Sequence, residues 1–357
     1  MDVLLLNEQD FKNRLDSHIE SIYGESESEE IVIRILNIFK DLQPASPDDA
    51  PLVNQEWDES DIYLITYGNS ILSNPQKPLQ VLYQFLKKYM EGVVSAVHVL
   101  PFFPHSSDDG FAVVDYQQVD PELGDWNDIK RIAQQFDLMS DLVINHISSK
   151  SMWFQQYLND EKPGCEYFIE VAEADDITNV VRPRASDLVQ TIDSPNGEKN
   201  VWCTFSADQV DLKFSNPDVL LEFISILRFY IEKGVRTIRL DAIAFLWKEL
   251  GTTCINLPQK HEIIRVFRLI IERYFPRVVF VTETNIPNIE NLKYFGNSNE
   301  AHIIYNFTLP PLLLNAMWEG NSDYLVRWSM SLPPAPQDCT YLNFTASHDG
   351  IGLRPPK

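Results

Sequence analysis

WNDIKRIAQQFDLMSDLVIN, residues 126–145, is the stretch that decides the fold. Trp126 to Phe136 reads as a helix and Leu138 to Asn145 as a strand, with one residue between them. Working upstream, Val93 to Phe103 is strand-like. Pro78 to Met90 is a helix with Leu79, Leu82, Phe85 and Leu86 near helical spacing, and Ile62 to Tyr67 is a short β-branched and aromatic run. Downstream, residues 150–205 lose this alternation; they contain Arg182-Pro183-Arg184 and Ser194-Pro195-Asn196-Gly197. It then resumes. Val219–Glu232, His261–Tyr274 and Tyr324–Ser331 read as helices. Val235–Leu240, Val278–Thr282, Ala301–Phe307 and Tyr341–Thr345 read as strands.

Strands alternating with helices imply parallel βαβ units. Seven strands are expected, near residues 65, 98, 142, 238, 280, 304 and 343. No GxGxxG follows the first strand, so a doubly wound dinucleotide fold fits less well than a (β/α)8 TIM barrel with an irregular insert after strand 3. The expected organisation is an N-terminal helical segment (1–55), a barrel (56–149 and 206–357) and an inserted domain (150–205). Within the first segment, Glu25 to Glu30 reads as a charged turn and Ile31 to Leu42 as a helix. The Pro-rich stretch Pro44 to Pro51 then breaks the chain.

Composition limits the function classes. The 357 residues carry 29 Lys+Arg against 52 Asp+Glu, a net charge of −23, which disfavours nucleic acid and anionic membranes as partners. A hydrophobic content of 44% is enough for a sizeable core. No apolar run is long enough for a transmembrane helix, and the N-terminus lacks the basic start of a secretory signal. Cys165, Cys203, Cys254 and Cys339 are scattered, as reduced thiols in a cytoplasmic protein would be.

Barrel active sites lie where strands end, at the C-terminal rim. The third predicted strand ends in Asp141…Asn145-His146 and the fourth in Arg239-Leu240-Asp241. The fifth ends in Thr282-Glu283-Thr284-Asn285, and the seventh runs into Ser347-His348-Asp349-Gly350. Paired carboxylates suit glycoside chemistry: one acts as nucleophile and the other as acid/base, about 5 to 5.5 Å apart in retaining enzymes. Arg239 shares a strand face with Asp241 and can keep it ionised. Glu283 must hold a proton near neutrality, and neighbouring negative charge acts in that direction.

Four segments, DLVINH (141–146), RTIRLDAIAF (236–245), VVFVTET (278–284) and FTASHD (344–349), resemble the α-amylase superfamily, glycoside hydrolase family 13, in the same order. The resemblance implies Asp241 as nucleophile, Glu283 as general acid/base and Asp349 as transition-state stabiliser. It also implies that Arg239, His146 and His348 hold the sugar. The segments at 100–129, 180–191, 205–212 and 309–320 are similar to the sucrose-phosphorylase branch. They imply Asp108 and Phe111 in the glucosyl pocket and inorganic phosphate as co-substrate, with no cofactor and no metal. Arg182 and Arg184 become candidate binders of phosphate or an anionic aglycone. TETN, ASHDGIG and VVRPR look more like glucosylglycerate and glucosylglycerol phosphorylases than sucrose-type enzymes. Family members continue into an eighth strand and a small β domain, so the resemblance implies a chain truncated at its C-terminus.

Two alternatives stay open. The same residues serve an α-glucosidase-type hydrolase or transglycosylase, which differs only in the acceptor. An inactive amylase-like interaction module is the third reading, although such modules usually lose one of the three carboxylates. Asn145 could serve a calcium ion. His98, inside an apolar strand, reads as structural, and His105 as a rim residue. Trp153, Trp202 and Trp247 read as packing residues rather than sugar platforms.

Overall fold

A computed structural model describes residues 6–46 and 57–352. The stretch 47–51 of the Pro-rich segment and the expected boundary at residue 55 lie outside them. In chain order the strands are β1 Tyr63–Thr66, β2 Ala96–Val99, β3 Asp137–Val143, β4 His146–Ser148, β5 Val189–Ser194, β6 Gly197–Trp202, β7 Gln209–Asp211, β8 Val235–Asp241, β9 Val279–Thr282, β10 Ile303–Tyr305 and β11 Thr340–Leu342. The helices are α1 Glu8–Tyr23, α2 Glu25–Ile38, α3 Pro78–Tyr89, α4 Trp126–Ala133, α5 Met152–Leu158, α6 Pro217–Glu232, α7 Pro258–Tyr274, α8 Asn288–Asn291, α9 Leu309–Glu319 and α10 Asp323–Ser331.

Seven strands form one curled parallel sheet in the order β1-β2-β3-β8-β9-β10-β11, the half-barrel of a (β/α)8 fold. They are the seven expected from sequence. The pleat divides their side chains between two cores. Leu138, Leu142, Ile238, Leu240, Phe280 and Ile304 face the helices in the larger cluster. Met139, Val279, Val281, Ile303 and Tyr305 form a smaller cluster of their own, packed with Tyr63, Leu342 and Phe344. Register places Asp141 directly beside Arg239 across β3 and β8, and Val143 beside Asp241.

Two local readings differ from expectation. Glu25 to Glu30 is not a turn but the start of α2, which follows Gly24 at φ 93°. Glu25 and Glu27 sit in its first turn, where exposed backbone N–H groups and the helix dipole favour negative charge. The strand expected from Val93 to Phe103 shrinks to Ala96–Val99. Pro101 and Pro104 have no N–H for a ladder, and Phe102 and Phe103 are buried outside it.

Between β3 and β8 the chain forms α5, the antiparallel hairpin β5–β6 and the antiparallel pair β4–β7. The Ser-Pro-Asn-Gly sequence forms the hairpin tip, with Gly197 at φ 118°. At the other side of the sheet α9 buries only Pro310 and α10 no residue, so Met317, Trp318, Tyr324 and Met330 are exposed.

Phe11, Leu15 and Ile19 of α1 join the same core as α6 and α7. Phe39 stacks on Tyr274 at 4.8 Å, and Arg228 of α6 grips Asp41 with two nitrogens at 2.7 and 2.6 Å. The N-terminal helices are therefore built onto the barrel. Leu15 is fully buried, so Leu15→Ala is expected to cost about 3 kcal/mol. Urea unfolding followed by circular dichroism and tryptophan fluorescence should show one shifted transition. Two separate transitions would mean that α1 and α2 fold independently.

Candidate active site

A cavity of about 530 Å³ opens at the C-terminal ends of the strands, a size suited to a small ligand. Arg239 lies at its base, almost fully buried. Its Nη1 donates to Asp141 Oδ1 and, at 2.7 Å, to Asp241 Oδ1; its Nη2 lies 3.9 Å from Glu283 Oε2. The guanidinium also lies 5.6 Å from the Phe111 ring centre and 5.7 Å from that of Tyr305. One cation thus touches every carboxylate of the inner site.

Asp141 is fully buried and also meets His98 Nε2 at 2.7 Å. Burial alone would raise its pKa. The charges and hydrogen bonds of His98 and Arg239 outweigh that and lower it to about 2. Asp141 is therefore a permanent anion, the fixed counter-charge for Arg239. His98, expected as structural, holds the other oxygen of that anion.

Asp241 and Glu283 have diverging environments. Glu283 is raised to about 7, first by burial and then by the negative charge of Asp241, with Arg239 opposing. Asp241 is also raised above the ordinary carboxylate value, by burial and by the Asp141 charge, with the hydrogen-bonded Arg239 and the nearby His146 opposing. Of the two, Asp241 is hydrogen-bonded to the Arg239 cation, which favours its ionised form, while Glu283 lies farther from that cation and is raised to about 7. Ala242, at φ 50°, bends the chain after β8, and its N–H faces Glu283 Oε2 at 3.4 Å.

The other expected site residues converge on this cavity with one exception. Asp108, Phe111, His146, His348, Arg184 and Asp349 all line it. Phe111 stacks on His348 with ring centres 5.2 Å apart. His146 Nε2 donates to the Phe111 carbonyl at 3.0 Å, and burial lowers the pKa of His146. Asp349 stands at the rim with its side chain exposed, 3.5 Å from His348. Arg184 also reaches the rim, 3.5 Å from Asp108. Arg182 is the exception: it is exposed and does not line the cavity, whereas Arg184 does.

Asn145 has both ends of its amide engaged. Its nitrogen donates to Asp211 at 3.0 Å, and its oxygen accepts from the Lys248 ammonium at 2.6 Å. Lys248 also lies 2.7 Å from Asp211. A fixed ammonium therefore occupies the place where a cation would use these oxygens. Trp153, Trp202 and Trp247 do not line the cavity, nor does His105.

Sequence reading missed Gln209, Tyr67 and the Lys248 role. Gln209 donates to Asp108 Oδ2 at 2.8 Å and sits 3.1 Å from His146 Nε2. It lies inside FSADQVDL, so a signal was present without a role attached. Tyr67 follows β1 and lines the cavity.

Residues 84–332 match the family described as alpha amylase, catalytic domain. The chain is 44% identical over 346 residues to the glucosylglycerate phosphorylase of Spirochaeta thermophila, covering 96% of this chain and 59% of that protein. It is 49% identical over 300 residues to the enzyme of the same name from Allomeiothermus silvanus, covering 84% and 54%. The chain thus spans less than two thirds of the length of these relatives. Among solved structures it resembles the sucrose 6F-phosphate phosphorylase of Thermoanaerobacter thermosaccharolyticum, with a TM-score of 0.73 and 26% identity. That likeness covers 85% of this chain and 62% of the other.

Glu283 makes stability depend on pH. Its folded-state pKa, about 7, lies above the ordinary 4.5, so the folded protein holds the extra proton between these values. The stability this confers is complete below about pH 4.5 and is lost as pH rises through about 7. Glu283→Gln cannot titrate. Its unfolding free energy, measured in urea from pH 5 to 8.5, should gain about 2–3 kcal/mol on wild type with rising pH. Parallel curves would place the Glu283 proton at its ordinary value.

Proposed function

The chain belongs to the alpha-amylase catalytic-domain family, and on that premise we propose that the protein is a retaining α-glucoside phosphorylase, with glucosylglycerate its preferred donor. The geometry supports double displacement, because Arg239 holds one ionised carboxylate beside a second that keeps its proton. The observation that carries phosphorolysis over hydrolysis is the 44% and 49% identity to glucosylglycerate phosphorylases.

In this reading the Asp241 carboxylate attacks the anomeric carbon. The glycosidic bond breaks, and the leaving oxygen takes the Glu283 proton. Arg239 keeps Asp241 ionised until attack, and Asp349 faces the positive charge that develops at the anomeric carbon. Asp108, His146 and His348 bind glucosyl hydroxyls, and Phe111 offers its ring face. In the second step a phosphate oxygen attacks the same carbon. The bond to Asp241 breaks, Glu283 recovers a proton from the phosphate, and α-glucose 1-phosphate leaves. Arg184, which lines the cavity where Arg182 does not, is the rim cation for the glycerate carboxylate or the phosphate.

No cofactor enters this scheme; phosphate is a co-substrate. We also propose residues 150–205 as an inserted domain between two parts of the barrel, 56–149 and 206–357, with 1–55 as a helical N-terminal segment. No helix among the described residues is long and apolar enough to cross a membrane. The cytoplasm is our proposed compartment, supported by four free thiols. The net charge of −23 disfavours polyanionic partners.

Glucose 1-phosphate and free glucose should be assayed with glucosylglycerate, glucosylglycerol and sucrose, each with and without phosphate. Phosphate-dependent glucose 1-phosphate from glucosylglycerate is the expected result. Free glucose independent of phosphate would make the protein a hydrolase. Asp241→Asn should lower kcat by about four orders of magnitude, and full turnover in that variant would refute the nucleophile.

A further inference from the structure

The loop after β2 reaches the cavity in a conformation that side chains rarely adopt. Asp108 has φ 54° and Asp109 φ 50°, followed by Gly110 at φ 110°. Two consecutive non-glycine residues in the left-handed region persist only where their surroundings over-determine them. One restraint is steric: a Cβ on Gly110 would come within 2.6 Å of the Pro101 carbonyl oxygen. The backbone supplies others, since Ser106 N–H donates to Ala112 O at 3.1 Å and Ser148 N–H donates to Val113 O at 2.8 Å.

A further restraint is a carboxylate. Asp208 accepts from the hydroxyls of Ser106 and Ser107, each at 2.5 Å, and from Ser149 at 2.6 Å. The first two serines precede Asp108 directly. The third follows β4, and its N–H also donates to the Asp208 carbonyl at 2.9 Å. The next residue, Gln209, donates to Asp108 itself. Gln209 also donates to the Phe111 carbonyl at 3.5 Å, so residues 208 and 209 contact the loop on both sides of its strained turn. Asp208 does not line the cavity.

We propose that Asp208 is a positioning residue for the glucosyl pocket: it clamps three serine hydroxyls and thereby fixes the 106–111 loop that presents Asp108 and Phe111. The clamp rests on the phosphorylase reading for its functional consequence, but not for its physical effect on the loop. A hydrogen bond to a charged acceptor is stronger than one between neutral groups, which suits a carboxylate to this task. Its three donors come from two separate loops, so the carboxylate also fixes their spacing.

Asp208→Ala removes the acceptor from all three hydroxyls, and Ser107→Ala removes one hydroxyl while leaving the carboxylate in place. Amide hydrogen exchange is read over 104–113 and over 235–245, alongside steady-state kinetics. In Asp208→Ala, exchange over 104–113 should quicken about tenfold with 235–245 unchanged, and KM for glucosylglycerate should rise about tenfold with KM for phosphate unchanged. Ser107→Ala should move both readouts in the same direction by less, and it decides the matter if Asp208→Ala does not fold. Unchanged exchange and an unchanged glucoside KM would overturn the clamp. So would a uniform loss of protection, or equal rises in both KM values, since either marks general destabilisation. If wild type forms no glucose 1-phosphate, the phosphorylase reading fails, and D-glucose becomes the probe. Protection of 104–113 by D-glucose, lost in the variants, would still support the clamp; protection retained in full would refute it.

Discussion

A guanidinium buried beneath a polar cavity needs a counter-charge that never leaves, and Asp141 supplies it to Arg239. An isolated buried cation would carry a large desolvation penalty, and removing one partner of such a pair leaves the other charge uncompensated. Parallel register makes the pairing unavoidable, because Asp141 and Arg239 are direct neighbours across β3 and β8. With Asp141 fixed as an anion, the guanidinium has donors left for Asp241 and a field that reaches Glu283. The division of labour between the two carboxyls follows from distance. Asp241 is bonded to the cation, while Glu283 is farther from it, beside the Asp241 charge and short of water.

A second buried cation organises the adjoining wall. Lys248 meets Asp211 and Asn145, and Asp211 also accepts from the backbone N–H and hydroxyl of Thr204. These contacts tie the residues after β8 to the β4–β7 pair, which carries His146 and Gln209. The cavity wall is thus set by ion pairs and hydrogen bonds with little exposure to solvent, where they are stronger than at a surface. Outward-facing charges do none of this; most of the acidic surplus is solvated.

The apolar frame allows this polar centre to exist. Helices α6 and α7 bury long aliphatic and aromatic faces against the sheet, and α1 and α2 extend the same core beyond the barrel layers. The face of α9 and α10 stands apart, with Met317, Trp318 and Met330 open to solvent. Burial is near-complete along β3, β8 and β9, which carry Asp141, Arg239 and Asp241 and lead into Glu283.

The sequence by itself determined the seven strands of the main sheet and their polar ends, because both are written in local periodicity. Residues 238–241 (IRLD) alternate apolar and polar, so Arg239 and Asp241 had to share a face. The negative charge near Glu283 was equally legible. Fold position decided the rest. Asp141, Lys248 and Asp208 look like ordinary charged residues along the chain, and only contacts across 98, 103 and 101 residues give them work. Arg182 and Arg184 are alike in sequence, yet only Arg184 lines the cavity, because the path of the loop decides which side chain reaches it. The first turn of α2 was misread for the opposite reason: a run of glutamates reads as solvent-seeking, and only a helix start supplies the N–H groups and dipole that hold them.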